Sequence, residues 1–201
     1  MKEFSLVARQ PIYDTGMAVV AYELLFRKSA VIATAEVENS RQATLLVIES
    51  ALEIGLERLS GGLPVHINFP RELLVAKPPL SLPPEWVIEV LEDVPGDPEV
   101  IAAITALRSS GHRIALDDYI PVVTDPVLLE VADIVKIVIS QFADAELASM
   151  VRTLQARGLE LIAEEVETME QFERCLELGF TGFQGYFFQH PRTFHEKRRE
   201  R

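Results

Sequence analysis

Seven apolar runs in this chain end on a side chain that can bind a cation, take up a proton or carry a fixed charge. Tyr22 leads into Glu23, Val65-His66-Ile67 into Asn68, Trp86-Val87-Ile88 into Glu89, and Ile114-Ala115-Leu116 into the pair Asp117-Asp118. Farther on, Ile134-Val135 leads into Lys136, Leu161-Ile162-Ala163 into Glu164, and Phe183 into Gln184. Hard divalent cations take oxygen ligands, and Mg²⁺ couples a few carboxylates to substrate phosphates. Glu23, Asn68, Glu89, Asp117 and Asp118 supply such oxygens from separate runs. The adjacent aspartates let one carboxylate bridge two metals while the other faces the second. Two metals about 4 Å apart stabilise the attacking and leaving oxygens of a phosphodiester. Lys136 adds positive charge without taking a ligand position, and Glu164 and Glu167 could order or deprotonate an attacking water.

Each residue also has an ordinary reading. An Asp pair after a strand more often caps a turn than binds metal. Glu89 at a strand end would usually be solvated, and Lys136 among apolar residues would snorkel or form an ion pair. His66 reads as a satisfied core histidine, and Phe183, Tyr186, Phe187 and Phe188 as core closure rather than a base-stacking platform. His112, His190 and His195 form no metal-binding spacing. Against these stands the recurrence of one rule at seven run ends.

The elements that must position these residues alternate in type. Phe4 to Tyr13 and Met17 to Arg27 read as two strands about the turn Asp14-Thr15-Gly16. Asn39 or Ser40 can cap a helix carrying Leu45, Leu46, Ile48, Leu52 and Leu56 at helical spacing, with Gly61-Gly62 beyond its end. Val65–Asn68 reads as a strand, Pro70–Val75 as a helical turn, and Pro78, Pro79, Pro83 and Pro84 as a rigid connector. A helix follows from Pro98 to Ser110, then a strand Arg113–Asp117, a short helix near Pro126–Val131 and a strand Asp133–Ile139. A helix Ala143–Arg157, a strand Glu160–Glu164, a helix Met169–Leu178 and a closing strand around Phe180–Phe188 complete the pattern. Such βαβα order predicts a parallel sheet with right-handed crossovers. Closed into a (β/α) TIM-type barrel, it would bring every polar run end to one rim.

The chain has 201 residues, of which 48% are hydrophobic, which fits one domain with a sizeable core. A full (β/α) barrel typically takes about 250 residues, so a compact barrel, incomplete or modified by trimmed loops or missing helices, is expected. The net charge of −12 argues against a nucleic-acid polymer held on a basic surface. It leaves room for a small phosphate ligand where bound cations invert the local sign. The single Cys175 fits a reducing, cytoplasmic setting, and no apolar run approaches the 18 residues of a membrane span. Residues 1–194 form the expected domain. The basic end 195–201, with Lys197, Arg198, Arg199 and Arg201, reads as a linker to a further domain.

The stretch Ala21-Tyr-Glu-Leu-Leu-Phe-Arg27 resembles the Glu-Ala-Leu-x-Arg signature of the EAL family of cyclic di-GMP phosphodiesterases. Arg9-Gln-Pro-Ile12 is similar to that family's first strand. Asn68, Glu89 with Glu92, Asp117-Asp118, Lys136, Glu164 with Glu167 and Gln184-Gly185-Tyr186 match its later motifs in order. Ala163–Thr168 and Phe183–Phe188 resemble most the branch in which a compact EAL domain precedes an HDOD domain. The resemblance implies a barrel that hydrolyses cyclic di-GMP to the linear dinucleotide with two Mg²⁺ or Mn²⁺ ions. By it, Glu23, Asn68, Glu89 and Asp117 hold one metal, and Asp117 and Asp118 the second. Glu164 lies near the catalytic water, and Lys136 supports water or phosphate. Gln10 and Arg27 contact substrate, Gln184 lies beside the site, and Glu92 anchors the loop after Asp118. A homodimer, a C-terminal HDOD domain or a regulatory protein are the further partners it implies.

The sequence departs from that pattern in places. Leu24 stands at the signature alanine. Tyr119-Ile-Pro-Val-Val-Thr-Asp125 replaces a Phe-Gly-x-Gly loop, whose conformation Pro121 and two valines cannot freely adopt. Val138 replaces an aspartate and Glu165 a glycine. Changes behind intact ligands can cost about 10–100-fold. Two functions are therefore carried forward: a phosphodiesterase slow in isolation, or a degenerate domain that senses the nucleotide or binds a protein. A third, an aldolase with Lys136 as Schiff base, would leave the carboxylates idle.

Overall fold

The computed structural model describes residues 4–26, 40–76 and 82–197, and within them nine strands make one sheet that closes on itself. Strands β1 (Phe4–Tyr13) and β2 (Val19–Phe26) form the expected antiparallel hairpin. Asp14 sets its turn, because Oδ1 accepts from the N–H groups of Gly16 at 2.8 Å and Ala18 at 2.9 Å. From β2 the sheet runs in parallel through β3 (Val65–Phe69), β4 (Val87–Val90), β5 (Arg113–Leu116), β6 (Ile134–Val138), β7 (Glu160–Glu164) and β8 (Gly182–Phe183). Tyr13 of β1 pairs antiparallel with Phe183 and closes the ring. The result is a (β/α) barrel of eight strands in which β1 alone runs against the others.

Helices α1 (Ser40–Ile54) and α2 (Leu56–Ser60) lead into β3, and α3 (Arg71–Ala76) and α4 (Pro98–Ser109) follow β3 and β4. Between β5 and β6 the crossover shrinks to a 3₁₀ turn, Pro126–Glu130. Helices α5 (Asp144–Gln155) and α6 (Met169–Leu178) follow β6 and β7. This is where the expected trimming falls. The starts of α4 and α6 are written locally. Asp97 accepts from the N–H groups of Glu99 and Val100 ahead of Pro98, and Thr168 with Gln171 forms a reciprocal capping box.

Period-two alternation builds the interior. Ile12, Ala21, Val87, Ala115, Ile134 and Ile162 form one buried apolar cluster. Two residues farther along the same strands, on the same face, stand Glu23, Glu89, Asp117, Lys136 and Glu164. An apolar floor thus lies directly beneath a charged layer at the C-terminal rim. The large outer core packs the helices on the sheet through residues such as Trp86, Ile104, Leu147, Phe172 and Phe183. No helix among the described residues is long and apolar enough to cross a membrane.

Three expectations are corrected. The single helix ending near Gly61 is two, broken at Gly55 with φ 91°, and Gly61 caps the second. The closing strand is only Gly182–Phe183. It stops because Gly185 lets the backbone of Val166 press close, where a Cβ would sit 2.1 Å from the Val166 carbonyl oxygen. The Val166 N–H donates to Gln184 O, and the Phe187 N–H to Val166 O, both at 3.0 Å, which turns the chain off the sheet. The expected linker begins too early, since β9 (Arg192–Lys197) pairs antiparallel with Phe4–Arg9 of β1 and a boundary at 194 falls inside a strand. Arg27, Asn39, Pro78, Pro79, Arg198, Arg199 and Arg201 lie outside the described residues.

Candidate metal centre

Lys136 is the hub of the rim. It is fully buried, and its Nζ lies 2.7 Å from Asp117 Oδ1, 3.0 Å from Glu89 Oε1, 3.0 Å from Glu164 Oε1 and 3.3 Å from Glu23 Oε2. Four strands contribute these carboxylates or end beside them, and β6 supplies the lysine. The ion-paired reading holds for Lys136, in a four-way form that spacing alone does not reveal. Burial pushes its pKa down, but Asp117, Glu164, Glu23 and Glu89 together outweigh that and hold it well above the ordinary value.

One ammonium cannot satisfy so many carboxylates. Among the described residues, Glu89 Oε2, Glu164 Oε2, Asn68 Oδ1 and Gln184 Oε1 are buried and have no hydrogen-bond partner. Their orientation is forced by what their other halves do. Asn68 Nδ2 donates to Glu23 Oε1 at 3.1 Å and Gln184 Nε2 to Glu23 Oε2 at 2.7 Å, so each amide oxygen must face away from Glu23. His66 Nδ1 lies 2.8 Å from Glu89 Oε1, which Lys136 also contacts, leaving Oε2 free. Burial, then the charges of Lys136 and Arg113, hold His66 well below its ordinary pKa. His66 is therefore satisfied, as its sequence reading had it, by a partner that makes it part of the site.

The electrostatics speak for cations. Burial, partly countered by Lys136, pushes Glu89 and Glu164 well above the usual carboxylate range. Burial and the neighbouring Asp117 push Asp118 up to about 6. Glu23, Glu89 and Asp117 bring oxygens within 4.8 Å of one another, and so do Asp117, Asp118 and Glu164. The triads share Asp117, so its carboxylate would serve both positions if two neighbouring cations were held there. Orphaned oxygens, excess negative charge and an all-oxygen donor set fit hard divalent ions.

The remaining candidates divide. Gln10, Glu23, Asp118, Glu164, Glu167 and Gln184 line one cleft of about 260 Å³ above the cluster. Gln10 pairs with Glu23 across the hairpin. Glu167 is exposed at the mouth, outside both acidic triads, where its N–H donates to Gln171 Oε1. Glu92 is half-buried and close enough to Asp118 to help raise its pKa. Arg27 lies outside the described residues. Phe183 closes the core and Phe187 and Phe188 pack on Phe172 as expected, but Tyr186 is 55% exposed and rests against His190, with ring centroids 4.2 Å apart.

Two features escaped the sequence. Asp125 starts the 3₁₀ turn and accepts from Gly96 N at 3.0 Å, tying the loop after β5 to the loop after β4. An Asp-Pro pair is the only signal for it. Asp118 and Glu165 both adopt positive φ, at 45° and 55°, a strain that collects at functional sites. The loop itself is closed by local bonds. Ile120 N donates to Thr124 Oγ1, and Val123 N and Thr124 N donate to Ile120 O, leaving Val122 92% exposed.

Comparison with known proteins gives a consistent picture. The family model described as EAL domain matches residues 3–191. YuxH of Bacillus subtilis is 39% identical over 192 residues, covering 92% of this chain and 47% of YuxH. The cyclic di-GMP phosphodiesterase CdgJ of Vibrio cholerae is 34% identical over 195 residues, covering 95% of this chain and 45% of CdgJ. The chain thus spans about half the length of the curated relatives it matches. BlrP1 of Klebsiella pneumoniae, solved as a complex with calcium and cyclic di-GMP, superposes with a TM-score of 0.72 at 25% identity, over 96% of this chain and 58% of BlrP1.

Proposed function

The chain belongs to the EAL domain family, and we propose that it is a divalent-metal-dependent phosphodiesterase that opens cyclic di-GMP to the linear dinucleotide. The observation that carries this is the set of buried oxygens of Asn68, Glu89 and Glu164 that no protein donor reaches, gathered beside Asp117 and Asp118. Glu23, Asn68, Glu89 and Asp117 would hold one Mg²⁺ or Mn²⁺, and Asp117 with Asp118 the second. Bound there, the two cations supply electrostatic stabilisation of the phosphate in its transition state. Gln10, Gln184 and Arg27 would orient the nucleotide.

Lys136 fixes Glu164 through Oε1, which leaves Oε2 as the free proton acceptor. A water oxygen attacks the phosphorus, and the bond from phosphorus to one ribose oxygen breaks. Glu164 takes the water's proton, and the departing ribose oxygen takes one from solvent. Glu167 at the mouth would help order the water, and Glu92 would steady the loop beside Asp118. The test is consumption of cyclic di-GMP by this chain with Mn²⁺ and with EDTA. Metal-dependent appearance of the linear dinucleotide is expected; no binding and no consumption with either would overturn the reading.

The loop after Asp118 favours a second reading, in which the domain binds the nucleotide but turns it over slowly or not at all. Pro121 offers no N–H, and the loop's donors at Ile120, Val123 and Thr124 are spent within it. Replacing residues 119–125 by a Phe-Gly-x-Gly-type sequence should raise turnover about tenfold or more, with circular dichroism unchanged. No gain would remove the loop as the limiting element.

Ala163–Thr168 and Phe183–Phe188 support the branch in which an HDOD domain follows, and the relatives' greater length leaves room for one. The basic residues Arg198, Arg199 and Arg201, which follow β9 in the sequence, would then lead toward it. The exposed Val122 and Val123 support a homodimer through the loop or contact with a regulatory protein, and the lone buried Cys175 supports a cytoplasmic setting.

A further inference from the structure

Among the described residues, the cleft carries a carboxylate that neither the metal cluster nor the proposed hydrolysis uses. Glu165 lines it together with Gln184, Gly185 and Tyr186. The residue follows Glu164, which pairs across β6–β7 with Val138. The resemblance puts an aspartate at 138 and a glycine at 165, so this wall has lost an acid on β6 and gained one just past β7. The gain is held in place. Glu165 keeps φ 55°, strained for any residue with a Cβ, and its Oε2 accepts from the Ser140 hydroxyl at 2.7 Å. Tyr186 presents an exposed ring to the same cleft, steadied by His190.

We propose that Glu165 and Tyr186 form the base-reading subsite: the Glu165 carboxylate accepts the N1–H and N2–H of one guanine while the Tyr186 ring stacks on it. This rests on the phosphodiesterase reading, in which the acidic cluster takes up the phosphates and leaves the two guanines to be held. Guanine alone among the common purines shows two adjacent donors on its pairing edge, and a carboxylate offers two acceptors at matching spacing. The hydroxyl bond from Ser140 uses one lone pair of Oε2 and leaves its other lone pair, with Oε1, for the base. Adenine presents an acceptor at N1, which a carboxylate repels. Stacking on an aromatic ring is tolerant of base identity, so the two groups divide the labour: Tyr186 gives affinity and Glu165 gives choice.

The experiment is equilibrium binding, with Ca²⁺, of cyclic di-GMP, cyclic di-inosine monophosphate and cyclic di-AMP. The inosine compound lacks only the N2 amines. The native chain should prefer cyclic di-GMP over both by about tenfold or more. Glu165→Gln and Glu165→Gly should bring the three affinities within about threefold of one another, since the bidentate contact is worth roughly a factor of ten. The glycine variant should melt no lower than the native chain, because it relieves the positive φ; a residue kept for structure would show the opposite. Tyr186→Ala should weaken all three ligands alike, by about tenfold. An unchanged preference in both Glu165 variants, or no weakening in Tyr186→Ala, would overturn the subsite. Binding without preference in the native chain also overturns it while sparing the phosphodiesterase reading. Absence of binding by every nucleotide would bring down both.

Discussion

The two ends of the barrel use the same kinds of charge in opposite ways. At the N-terminal end, Arg113 pairs with Glu160 and Arg108 with Asp133, each at 2.8 Å, with side chains between 24% and 57% exposed. Each cation has an acid of its own, and Asp133 also accepts from Ile114 N. At the C-terminal end, one buried lysine faces four carboxylates and buried oxygens remain without partners. The larger cavity, about 670 Å³, lies at the paired end, and the smaller, about 260 Å³, above the unpaired one. Cavity size points the wrong way. What marks the functional end is burial of acceptors in excess of donors, an arrangement a protein sustains only where something else completes it.

Lys136→Met should strain that contrast most. Among the described residues it removes the only ammonium facing these buried acids, so unfolding in EDTA should show a loss of about 3–5 kcal/mol, much of it regained with saturating Mn²⁺. Unchanged stability in EDTA would mean that the acids are not held as described. Glu164→Gln comes next. Turnover should fall about 10²–10⁴-fold while cyclic di-GMP affinity stays within a few fold, and a variant with the native rate would remove Glu164 from the chemistry. His66→Ala frees Glu89 Oε1 from one of its two partners, so Mn²⁺ affinity should fall about 10–100-fold; calorimetry showing native affinity would make His66 mere filling. The smallest effect belongs to the other end. Arg113→Ala should cost about 1 kcal/mol or less and leave turnover untouched, and a large loss of activity there would collapse the distinction between the two ends.

Much of the functional end was legible because its code is local. Glu23, Glu89, Asp117, Lys136 and Glu164 each sit two residues past an inward-facing apolar residue, as Glu23 past Ala21 and Glu164 past Ile162, and period-two alternation carries them to the same rim. The caps at Asp97 and Thr168 were equally local. What stayed hidden depends on neighbours distant in the chain. Nothing around Lys136 tells that Glu23, 113 residues earlier, will lie against its Nζ, nor around His66 that Glu89 will be its partner. The early end of β8 follows from the close approach of Val166 to Gly185. The extension of β9 to Lys197 follows from a free edge on β1, and both are properties of the packed sheet. Tyr186 was assigned to the core because its neighbours Phe183, Phe187 and Phe188 belong there, and a turn of chain separates it from them.

The account stands on the claim that the unpartnered oxygens at this rim are ligands. Calorimetric titration of Mn²⁺ into the native chain and into Glu89→Gln tests it most directly, since Glu89 is the most deeply buried of the residues that carry those oxygens. Saturable binding in the native chain, weakened at least about tenfold in the variant, is the expected result. Equal binding in both proteins, or none in either, would contradict it.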